Sequence, residues 1–319
     1  MFNLNIKKPK AAINYDLIYD FVALGLGPAG LNAGLYAKRK GLSTLVVGYD
    51  FGGQLINTSE VDNYLGLGLT DAATVIDAFL THLDKLEVPL VKNVKINKIT
   101  KKDNIFYVEL NNDETVKTKT LLYALGGNPR KLAIPGEKEY ASKGISYCVT
   151  CDAPFFANED VVVAGGGNSA VDAAIDLARI AKKVTIIHRS QFRADQKSLE
   201  LLSTFDNVEI MLETQILEVY GAEKVHSLKI LDKKSNKTSI FKTNGLFVQI
   251  GTIPNSTLVQ DFVELNEHNE VIVNELQHTS LPGLFAAGDV TPNVHRQIIV
   301  AASEGAKAAL EAALYINKL

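Results

Sequence analysis

Two regions of the chain repeat one succession of hydrophobic and polar positions. In each region an apolar run leads into a glycine-rich turn, an alanine-rich segment with helical spacing follows, and a second apolar run comes after it. The runs are Tyr19–Leu24 and Thr44–Val47 in the first region, and Val161–Ala164 and Val184–Ile187 in the second. Apolar runs without polar alternation, joined through helices, are typical of parallel strands buried on both faces. The pattern predicts an α/β fold with two Rossmann-like domains, each a doubly wound, three-layer nucleotide-binding unit.

The segments outside the repeat indicate how the two domains are connected. We expect further strands and a last helix at Ile96–Thr100, Phe106–Leu110, Thr115–Lys119, Leu121–Leu125, Gly283–Ala287 and about Arg296 to Ile316. Clusters of glycine, asparagine and proline at Gly126–Pro129 and Gln249–Asn255 favour crossings between domains. If the last segment completes the first domain, the second is inserted in it. The expected boundaries are residues 1–125 and 253–319 for the first domain and 126–252 for the inserted one.

Both glycine turns have a spacing that suits a dinucleotide. Gly25–Gly30 reads GxGxxG and Gly165–Ala170 reads GxGxxA. Glycines allow a pyrophosphate to approach the backbone, and the helix that follows offers free N–H groups. An ordinary tight turn between strand and helix is the alternative. Gly48 stands where an NAD site carries an acid for the ribose, so the first site is not a standard NAD site, and the loop Phe51–Leu55 could wrap a larger cofactor.

Two other segments add charge to these turns. The second strand of the inserted domain ends in His188–Arg193, which contains no acid. Arginines bind a 2′-phosphate through paired hydrogen bonds, so the segment favours NADP over NAD; a solvated basic turn is the alternative. Gly288 and Asp289 end an apolar strand before a helix, where the carboxylate can accept from a ribityl or ribose hydroxyl and the helix start stabilises negative charge on a flavin. An ordinary turn is again the alternative.

Cys148 and Cys151 are the two cysteines of the chain and form a C-x-x-C motif. This spacing is typical of redox-active pairs in cytosolic proteins. A structural zinc site needs four ligands, and the 6 histidines are not paired at ligand spacing, so we expect no metal. Two inert thiols remain an alternative. Asp152 follows directly and could deliver a proton to a leaving thiolate, unless it serves as a cap or turn residue.

Composition excludes several classes of function. Lys and Arg number 33 against 36 Asp and Glu, a net charge of -3 over 319 residues, which argues against a nucleic-acid surface. The apolar runs are shorter than the roughly 18–20 residues of a membrane helix. The N-terminus turns basic and polar by Lys7 without an apolar core, so no signal peptide is expected. A soluble cytoplasmic protein is the expectation.

Taken in order, the motifs resemble those of the low-molecular-weight thioredoxin reductases over nearly the whole chain. The matching segments are Gly25–Gly30, Gly52–Leu55, Val61–Tyr64, Gly144–Asp152, Gly165–Ala170, His188–Arg193, Gly288–Asp289 and Arg296–Gln297. That family also lacks the ribose acid at its first site, which agrees with Gly48. The resemblance implies an oxidoreductase and flavoprotein that acts in cell redox homeostasis. It implies an FAD domain made of the two chain ends and an inserted NADPH domain that carries a redox disulfide. It also implies a homodimer, with thioredoxin or a thioredoxin-like protein as partner.

The resemblance also implies roles for particular residues. Cys151 would face the flavin, Cys148 would attack the partner's disulfide, and Asp152 would be the acid and base. Residues implied to bind FAD are Gly25, Gly27, Pro28, Ala29, Gly30, Gly53, Gln54, Asn63, Gly126, Gly288, Asp289, Arg296, Gln297 and Ile298. Those implied to hold NADPH are Gly165, Gly167, Asn168, Ser169, His188, Arg189 and Arg193. Because nicotinamide and disulfide would share the inserted domain, that domain is expected to rotate between half-reactions, about the crossings near Gly126 and Gly251.

One position departs from the family, since Ser190 stands where its HRR-x-x-x-R motif has a second arginine. Loss of a charge-assisted contact weakens binding by about ten- to a hundredfold. NADPH remains favoured because Arg189, Arg193 and the second glycine turn are intact. A ferredoxin-dependent flavin thioredoxin reductase and a flavin-dependent thiol oxidase stay open as alternatives, as does a non-catalytic nucleotide-binding redox sensor. The Cys pair speaks against relatives of ferredoxin–NADP reductase.

Overall fold

A computed structural model describes residues 13–58 and 60–319, and the expectation for the N-terminal segment lies outside this part of the chain. Its helices are α1 (Pro28–Arg39), α2 (Ala72–Lys85), α3 (Val149–Asp152), α4 (Asn168–Ala178), α5 (Gln196–Leu202) and α6 (Ile298–Ile316), with 3₁₀ helices at Gly53–Asn57 and Ala153–Phe156. Its strands are β1 (Ile18–Leu24), β2 (Thr44–Val47), β3 (Glu60–Val61), β4 (Thr70–Asp71), β5 (Leu90–Val91), β6 (Ile96–Lys102), β7 (Ile105–Leu110), β8 (Thr115–Tyr123), β9 (Gly127–Pro129), β10 (Ile145–Ser146), β11 (Asp160–Ala164), β12 (Lys183–Ile187), β13 (Val208–Met211), β14 (Thr214–Gly221), β15 (Val225–Asp232), β16 (Lys237–Lys242), β17 (Gly245–Val248), β18 (Thr252–Pro254) and β19 (Leu284–Ala286).

The described chain divides into two compact units. The first contains the described residues up to Asn128 together with Ile253–Leu319, and the second is Pro129–Thr252. The division falls within the two breaks rich in glycine, asparagine and proline. The short strands β9 and β18 pair with each other where the chain crosses.

The first unit is built on a sheet in the order β5-β2-β1-β8-β7-β6. β2 and β8 pair in parallel with β1, whereas β6 and β7 form an antiparallel hairpin beside β8. β19 adds to the far half of β8 in parallel. The final segment of the chain therefore supplies a strand and the long helix α6 to the unit that the N-terminal half begins.

Burial on two faces explains the apolar run in β1. Phe21 and Ala23 point into a core shared with α1, α2 and α6, while Val22 and Leu24 point into a second core on the other side of the sheet. All four are fully buried. Because successive side chains of a strand alternate between faces, a strand covered on both sides is apolar at every position.

The second unit has a five-stranded parallel sheet in the order β10-β17-β11-β12-β13. Its strand β11 alternates in the same way between two cores. A three-stranded antiparallel sheet of β14, β15 and β16 belongs to the same unit. The predicted fold class, α/β with two Rossmann-like units, is confirmed.

Some elements differ from their predicted bounds. The run Thr115–Lys119 and the first part of Leu121–Leu125 form one strand, β8, which ends at Tyr123. It pairs with β7 along its first half and with β19 along its second. The last helix begins at Ile298, since Gln297 is extended with φ -126°. In the part of the chain that is described, no helix has the length and apolarity needed to cross a membrane.

Candidate functional site

The first glycine turn, which joins β1 to α1, packs closely against neighbouring backbone atoms. Gly25 has φ +121°, and a Cβ on it would lie 2.1 Å from the Ala124 carbonyl oxygen. A Cβ on Gly30 would lie 1.9 Å from the Gly25 carbonyl oxygen, so α1 starts in direct contact with the turn. Both positions therefore require glycine for steric reasons.

The middle of this turn is open. A Cβ built on Gly27 would find its nearest atom, the Gly53 Cα, at 3.7 Å. Gly27 is the N-cap of α1 and Pro28 follows it at the first helical position, so the cap has no side chain to occupy the N–H groups of the first turn. An exposed helix start beside bare backbone fits a pyrophosphate.

Other residues predicted to bind FAD meet around this turn. The Gly52 N–H donates to the Leu26 carbonyl at 2.8 Å, which fixes the loop that carries Gly53 and Gln54. The Gln54 amide donates to Asn128 at 3.1 Å. The Asn63 amide donates to the Gln297 side chain at 3.1 Å and so links two predicted residues from opposite ends of the chain.

The end of β19 lies beside the start of α1. A Cβ on Gly288 would be 3.4 Å from the Ala29 Cβ, and the Gly288 N–H donates to Glu304 of α6 at 2.7 Å. Burial raises the pKa of Asp289, although Arg296 opposes the rise. Burial also raises the pKa of Glu304, and the neighbouring Asp289 carboxylate adds to it. The glycine turn, the Gly288–Asp289 pair and α6 thus form one polar cradle.

Arg296 is held by a buried carboxylate that no sequence motif indicates. Its Nη2 donates to Glu270 Oε1 at 2.7 Å, and the second oxygen of Glu270 accepts from Asn266 at 2.7 Å. The Arg296 Nε is buried and has no hydrogen-bond partner among the described residues. An unsatisfied buried donor is costly, so this atom fits a polar group of a bound molecule. With the open Gly27 and the Asp289 carboxyl, the first unit fits FAD.

The second unit repeats the glycine turn with one variation. Gly165 has φ +151°, and a Cβ on it would lie 2.7 Å from the Ala170 Cβ and 2.2 Å from the Gln249 carbonyl oxygen. Gly165 therefore requires glycine, whereas the third position of this turn carries the Ala170 methyl group. A Cβ built on Gly167 would meet no atom of the described chain within 4 Å. Gly167 precedes α4, so this helix start also fits a pyrophosphate.

The basic loop, which we define as His188–Arg193, is held against this turn. The Arg193 N–H donates to the Gly166 carbonyl at 2.8 Å. The His188 ring occupies the space beside Gly166, where a Cβ would come within 2.3 Å of it, and burial with Arg193 and Arg189 lowers the pKa of His188. The structure thus buries His188, while Arg189 and Arg193 are exposed.

Asn168 and Asp195 connect the end of this loop to the start of α4. The Asn168 amide donates to Asp195 Oδ2 at 2.8 Å, and the Asp195 N–H donates to Asn168 Oδ1 at 2.8 Å. Ser169 is exposed next to this pair. Of the residues predicted to hold NADPH, the structure brings together the glycine turn, Asn168, Ser169 and the basic loop.

Cys148 and Cys151 form a disulfide with their Cα atoms 5.3 Å apart. Cys148 is the N-cap of α3, and its Sγ accepts from the Cys151 N–H at 3.2 Å. The buried Ser146 hydroxyl accepts from the Cys148 N–H at 3.0 Å and donates to the Cys148 carbonyl at 3.1 Å. The Asp152 N–H donates to the same carbonyl at 3.1 Å. The bonds from Ser146 and Asp152 fix the backbone of Cys148 through its N–H and carbonyl groups, independently of the S–S bond.

The residue before the disulfide is also anchored. The Tyr147 hydroxyl donates to the buried Glu137 carboxylate at 3.0 Å, and burial together with Glu137 raises the pKa of Tyr147. Glu137 additionally accepts from the N–H groups of Leu132 and Ala133. Within residues 13–58 and 60–319, no three His, Cys, Asp or Glu side chains are grouped so as to hold a metal ion.

Several of these residues were not foreseen from the sequence. Glu270, Glu304, Asp195 and Glu137 belong to no recognisable sequence motif, and each contacts a residue far away in the chain or across a turn. Only their contacts in the fold distinguish them from solvated acids.

Comparison with known proteins agrees with the resemblance. The family model of the pyridine nucleotide-disulphide oxidoreductases matches residues 19–305. An alkyl hydroperoxide reductase subunit of Staphylococcus epidermidis is 39% identical over 299 residues, which is 93% of this chain and 59% of that protein. The chain therefore spans about three fifths of the length of the curated relatives it matches.

Solved structures of thioredoxin reductases are similar throughout. The enzyme of Streptococcus pyogenes has a TM-score of 0.90 at 33% identity, with 95% of this chain and 99% of that one covered. The enzyme of Giardia duodenalis has a TM-score of 0.88 at 31% identity, with 94% and 99% covered. The resemblance to low-molecular-weight thioredoxin reductases is confirmed. With its paired Rossmann-like units and its redox-active disulfide, the chain belongs to the pyridine nucleotide-disulphide oxidoreductases, a family of flavoproteins.

Proposed function

We propose that the chain is an NADPH-dependent disulfide reductase that uses FAD and the Cys148–Cys151 disulfide to reduce thioredoxin or a thioredoxin-like protein. The observation that carries the proposal is the disulfide itself. It lies in the unit whose glycine turn is open at Gly167, and in that unit the loop beside the turn carries Arg189 and Arg193. The cradle of the first unit supports the flavin assignment.

Each cofactor has a set of residues that would hold it. In the first unit, Gly27 and the start of α1 would receive the pyrophosphate of FAD, while Asp289 and Arg296 would bind its polar groups. In the second unit, Gly167 and Ser169 would receive the pyrophosphate of NADPH, and Arg189 and Arg193 its 2′-phosphate. Bound FAD would accept a hydride from the nicotinamide and pass the electron pair on to the disulfide.

The two cysteines would then divide the exchange reaction. A Cys148 thiolate, stabilised by the Cys151 N–H, attacks a sulfur of the partner's disulfide and releases the other partner sulfur as a thiolate. Asp152 would protonate that thiolate. The Cys151 thiolate next attacks Cys148 Sγ, which re-forms the Cys148–Cys151 bond and frees the fully reduced partner.

The wider organisation belongs to the same proposal. We infer an FAD domain of residues 1–125 and 253–319, an NADPH domain of residues 126–252, and rotation of the second about the crossings near Gly126 and Gly251. Both glycines have positive φ, +64° and +99°, which lets the backbone bend at little steric cost. We also infer a homodimer and a cytoplasmic protein.

Anaerobic stopped-flow reduction tests the electron donor. Purified protein is mixed with NADPH, with NADH or with reduced ferredoxin, and flavin absorbance is followed. Rapid bleaching by NADPH, slower bleaching by NADH at equal concentration and none by ferredoxin are expected. Bleaching by ferredoxin alone would contradict the NADPH assignment, and a colourless protein that cannot be reconstituted with FAD would contradict the flavoenzyme as a whole.

Two matched serine variants test the roles of the cysteines. Cys148→Ser should leave flavin reduction by NADPH intact and lower turnover with a thioredoxin-like substrate by about a thousandfold or more, because the attacking thiolate is lost. Cys151→Ser should abolish turnover equally but trap a mixed disulfide between Cys148 and the substrate, detectable by intact mass. Trapping by Cys148→Ser instead would reverse the two roles.

A second candidate concerns the partner. The curated relatives include a subunit of alkyl hydroperoxide reductase, which favours a disulfide in a peroxide-reducing protein as the final acceptor. The same reduced enzyme, offered a thioredoxin-like protein and a peroxiredoxin-type protein separately, distinguishes the two by their kcat/KM.

A further inference from the structure

The basic loop lacks the second arginine of the family motif, and the structure shows what Ser190 does instead. Its hydroxyl lies 3.1 Å from the His188 Nε2, and the His188 ring packs beside Gly166. The Ser190 side chain is thus engaged with a buried ring inside the loop. Arg189 and Arg193 are the cations that the motif itself contributes.

A lysine from another element reaches the same loop. Lys233 lies in the turn after β15, and its ammonium donates to the Arg189 carbonyl at 3.1 Å. The lysine is 44 positions away from Arg189 in the sequence, so no local pattern connects the two. The Lys233 ammonium therefore lies beside the backbone of Arg189, the residue before Ser190.

The turn that carries Lys233 and the basic loop are anchored on one residue. The Lys233 N–H donates to the Glu213 carbonyl at 2.9 Å, and the Gln191 amide donates to the Glu213 carboxylate at 3.2 Å. The adjacent Thr214 N–H donates to the His188 carbonyl at 3.0 Å. The approach of Lys233 to the loop therefore follows from backbone contacts and does not depend on its flexible side chain alone.

The Lys233 charge is also available. Among the described residues Lys233 takes part in no ion pair within 4.0 Å. Its neighbour Lys234 interacts instead with Asp232, the last residue of β15: its N–H donates to that carboxylate at 2.8 Å, and its charge acts on the same group. The two lysines have the same charge and similar exposure, and contact with the basic loop distinguishes them.

We propose that Lys233 supplies the third cation of the subsite for the 2′-phosphate of the pyridine nucleotide, in place of the arginine missing at position 190. The assignment rests on the proposed binding of NADPH to this unit. Lysine acts on phosphate as a point charge and needs no fixed fork geometry. It can therefore replace an arginine from a different direction, and it determines specificity for NADP over NAD.

Binding of the oxidised nucleotides tests the assignment without turnover. The dissociation constants of NADP⁺ and NAD⁺ are measured on the FAD-loaded protein by titration calorimetry at low ionic strength, where screening is weak. Lys233→Ala should raise the dissociation constant of NADP⁺ about tenfold and leave that of NAD⁺ within about twofold. Lys234→Ala, the matched control, should change neither by more than about twofold.

A rescue variant separates a direct charge effect from a structural one. Adding Ser190→Arg to Lys233→Ala should restore most of the NADP⁺ affinity, because an arginine returns to the motif position. Equal weakening of NADP⁺ and NAD⁺ by Lys233→Ala, or an equal effect of Lys234→Ala, would overturn the assignment alone. If the unaltered protein binds neither nucleotide, the proposed nucleotide site of this unit fails, and the assignment with it.

Discussion

Individual side chains in the candidate sites are held by partners that lie far away along the chain. Asp195 stands at the N-cap of α5, where an aspartate normally bonds to N–H groups of its own helix. Here its carboxylate accepts from Asn168, 27 positions earlier. Asn168 thereby joins the start of α5, which follows the basic loop, to the start of α4, and its direct contact with NADPH stays a prediction.

At the same scale, Glu270 should act as a positioning residue for Arg296. Glu270→Gln keeps the size of the side chain but removes the charge that pairs with the guanidinium, leaving a partly buried cation less well oriented. A hydrogen bond to a charged group contributes about 1.5–3 kcal/mol, so the dissociation constant of FAD should rise by about tenfold or more. Reconstitution of the apoprotein, followed by quenching of FAD fluorescence, measures the change.

Glu267→Gln is the control for this experiment, because Glu267 is exposed and forms its ion pair with the neighbouring His268, away from Arg296. It should leave FAD affinity within about twofold. Normal FAD affinity in a well-folded Glu270→Gln protein would show that Arg296 does not need this carboxylate.

At the scale of elements, Asp20 connects three strands of the first sheet. From β1 its carboxylate accepts from the N–H and hydroxyl of Ser43, just before β2, at 3.0 and 2.8 Å. It also accepts from Lys119 of β8 at 2.8 Å. Burial alone would raise the pKa of Asp20, but the bonds from Lys119 and Ser43 outweigh it and hold the pKa below its usual range.

Asp20→Asn should therefore destabilise the protein in a pH-dependent way. A lowered pKa means that the carboxylate stabilises the fold above its unfolded-state pKa and ceases to do so as pH falls through the folded-state value. Urea unfolding should show a loss of about 1–2 kcal/mol at pH 7 and pH 5, shrinking below about pH 4. The exposed Asp16→Asn serves as control, and a difference that grows at low pH would contradict this account.

The elements also show which parts of the fold can be predicted from sequence. The strands and turns of the two repeats were predictable because burial on both faces leaves an uninterrupted apolar run. The prediction of two separate strands in place of β8 was wrong, because polar residues such as Lys117 and Lys119 interrupt the apolar run. Pairing of β8 with β7 and then with β19 depends on segments far apart in the sequence, which no local pattern reports.

At the scale of the whole molecule, we expect the interface of the proposed homodimer to include an exposed apolar segment. Leu65, Leu67 and Leu69 are 100%, 41% and 62% exposed. They follow Tyr64, which lines a pocket of about 140 Å³ together with Leu31 and other apolar residues of α1 and α2. Exposed apolar surface of this kind marks interaction sites, and a two-fold pair could place the leucines of each copy against the other.

Changing Leu65 and Leu69 together to serine should dissociate the proposed dimer. Because both copies carry the two changes, four leucines lose their burial, at about 1.5 kcal/mol or more each. The dimer dissociation constant should therefore rise by about ten-thousandfold, as measured by sedimentation equilibrium. Ile240→Ser, which alters an exposed apolar residue of the three-stranded sheet, should have no effect. A monomeric unaltered protein would reject the homodimer.

The fold class and the redox-active disulfide could be predicted from sequence because both depend on residues that are neighbours along the chain. A glycine turn, the two cysteines of a C-x-x-C motif and an apolar strand each lie within about ten residues, and their steric and redox properties are local. The partners that hold these groups were decided only by tertiary structure. Glu270 on Arg296, Asp195 on Asn168 and Lys233 on the basic loop are ordinary polar residues by sequence, and acquire their roles because the folded backbone brings them within hydrogen-bond distance of a site.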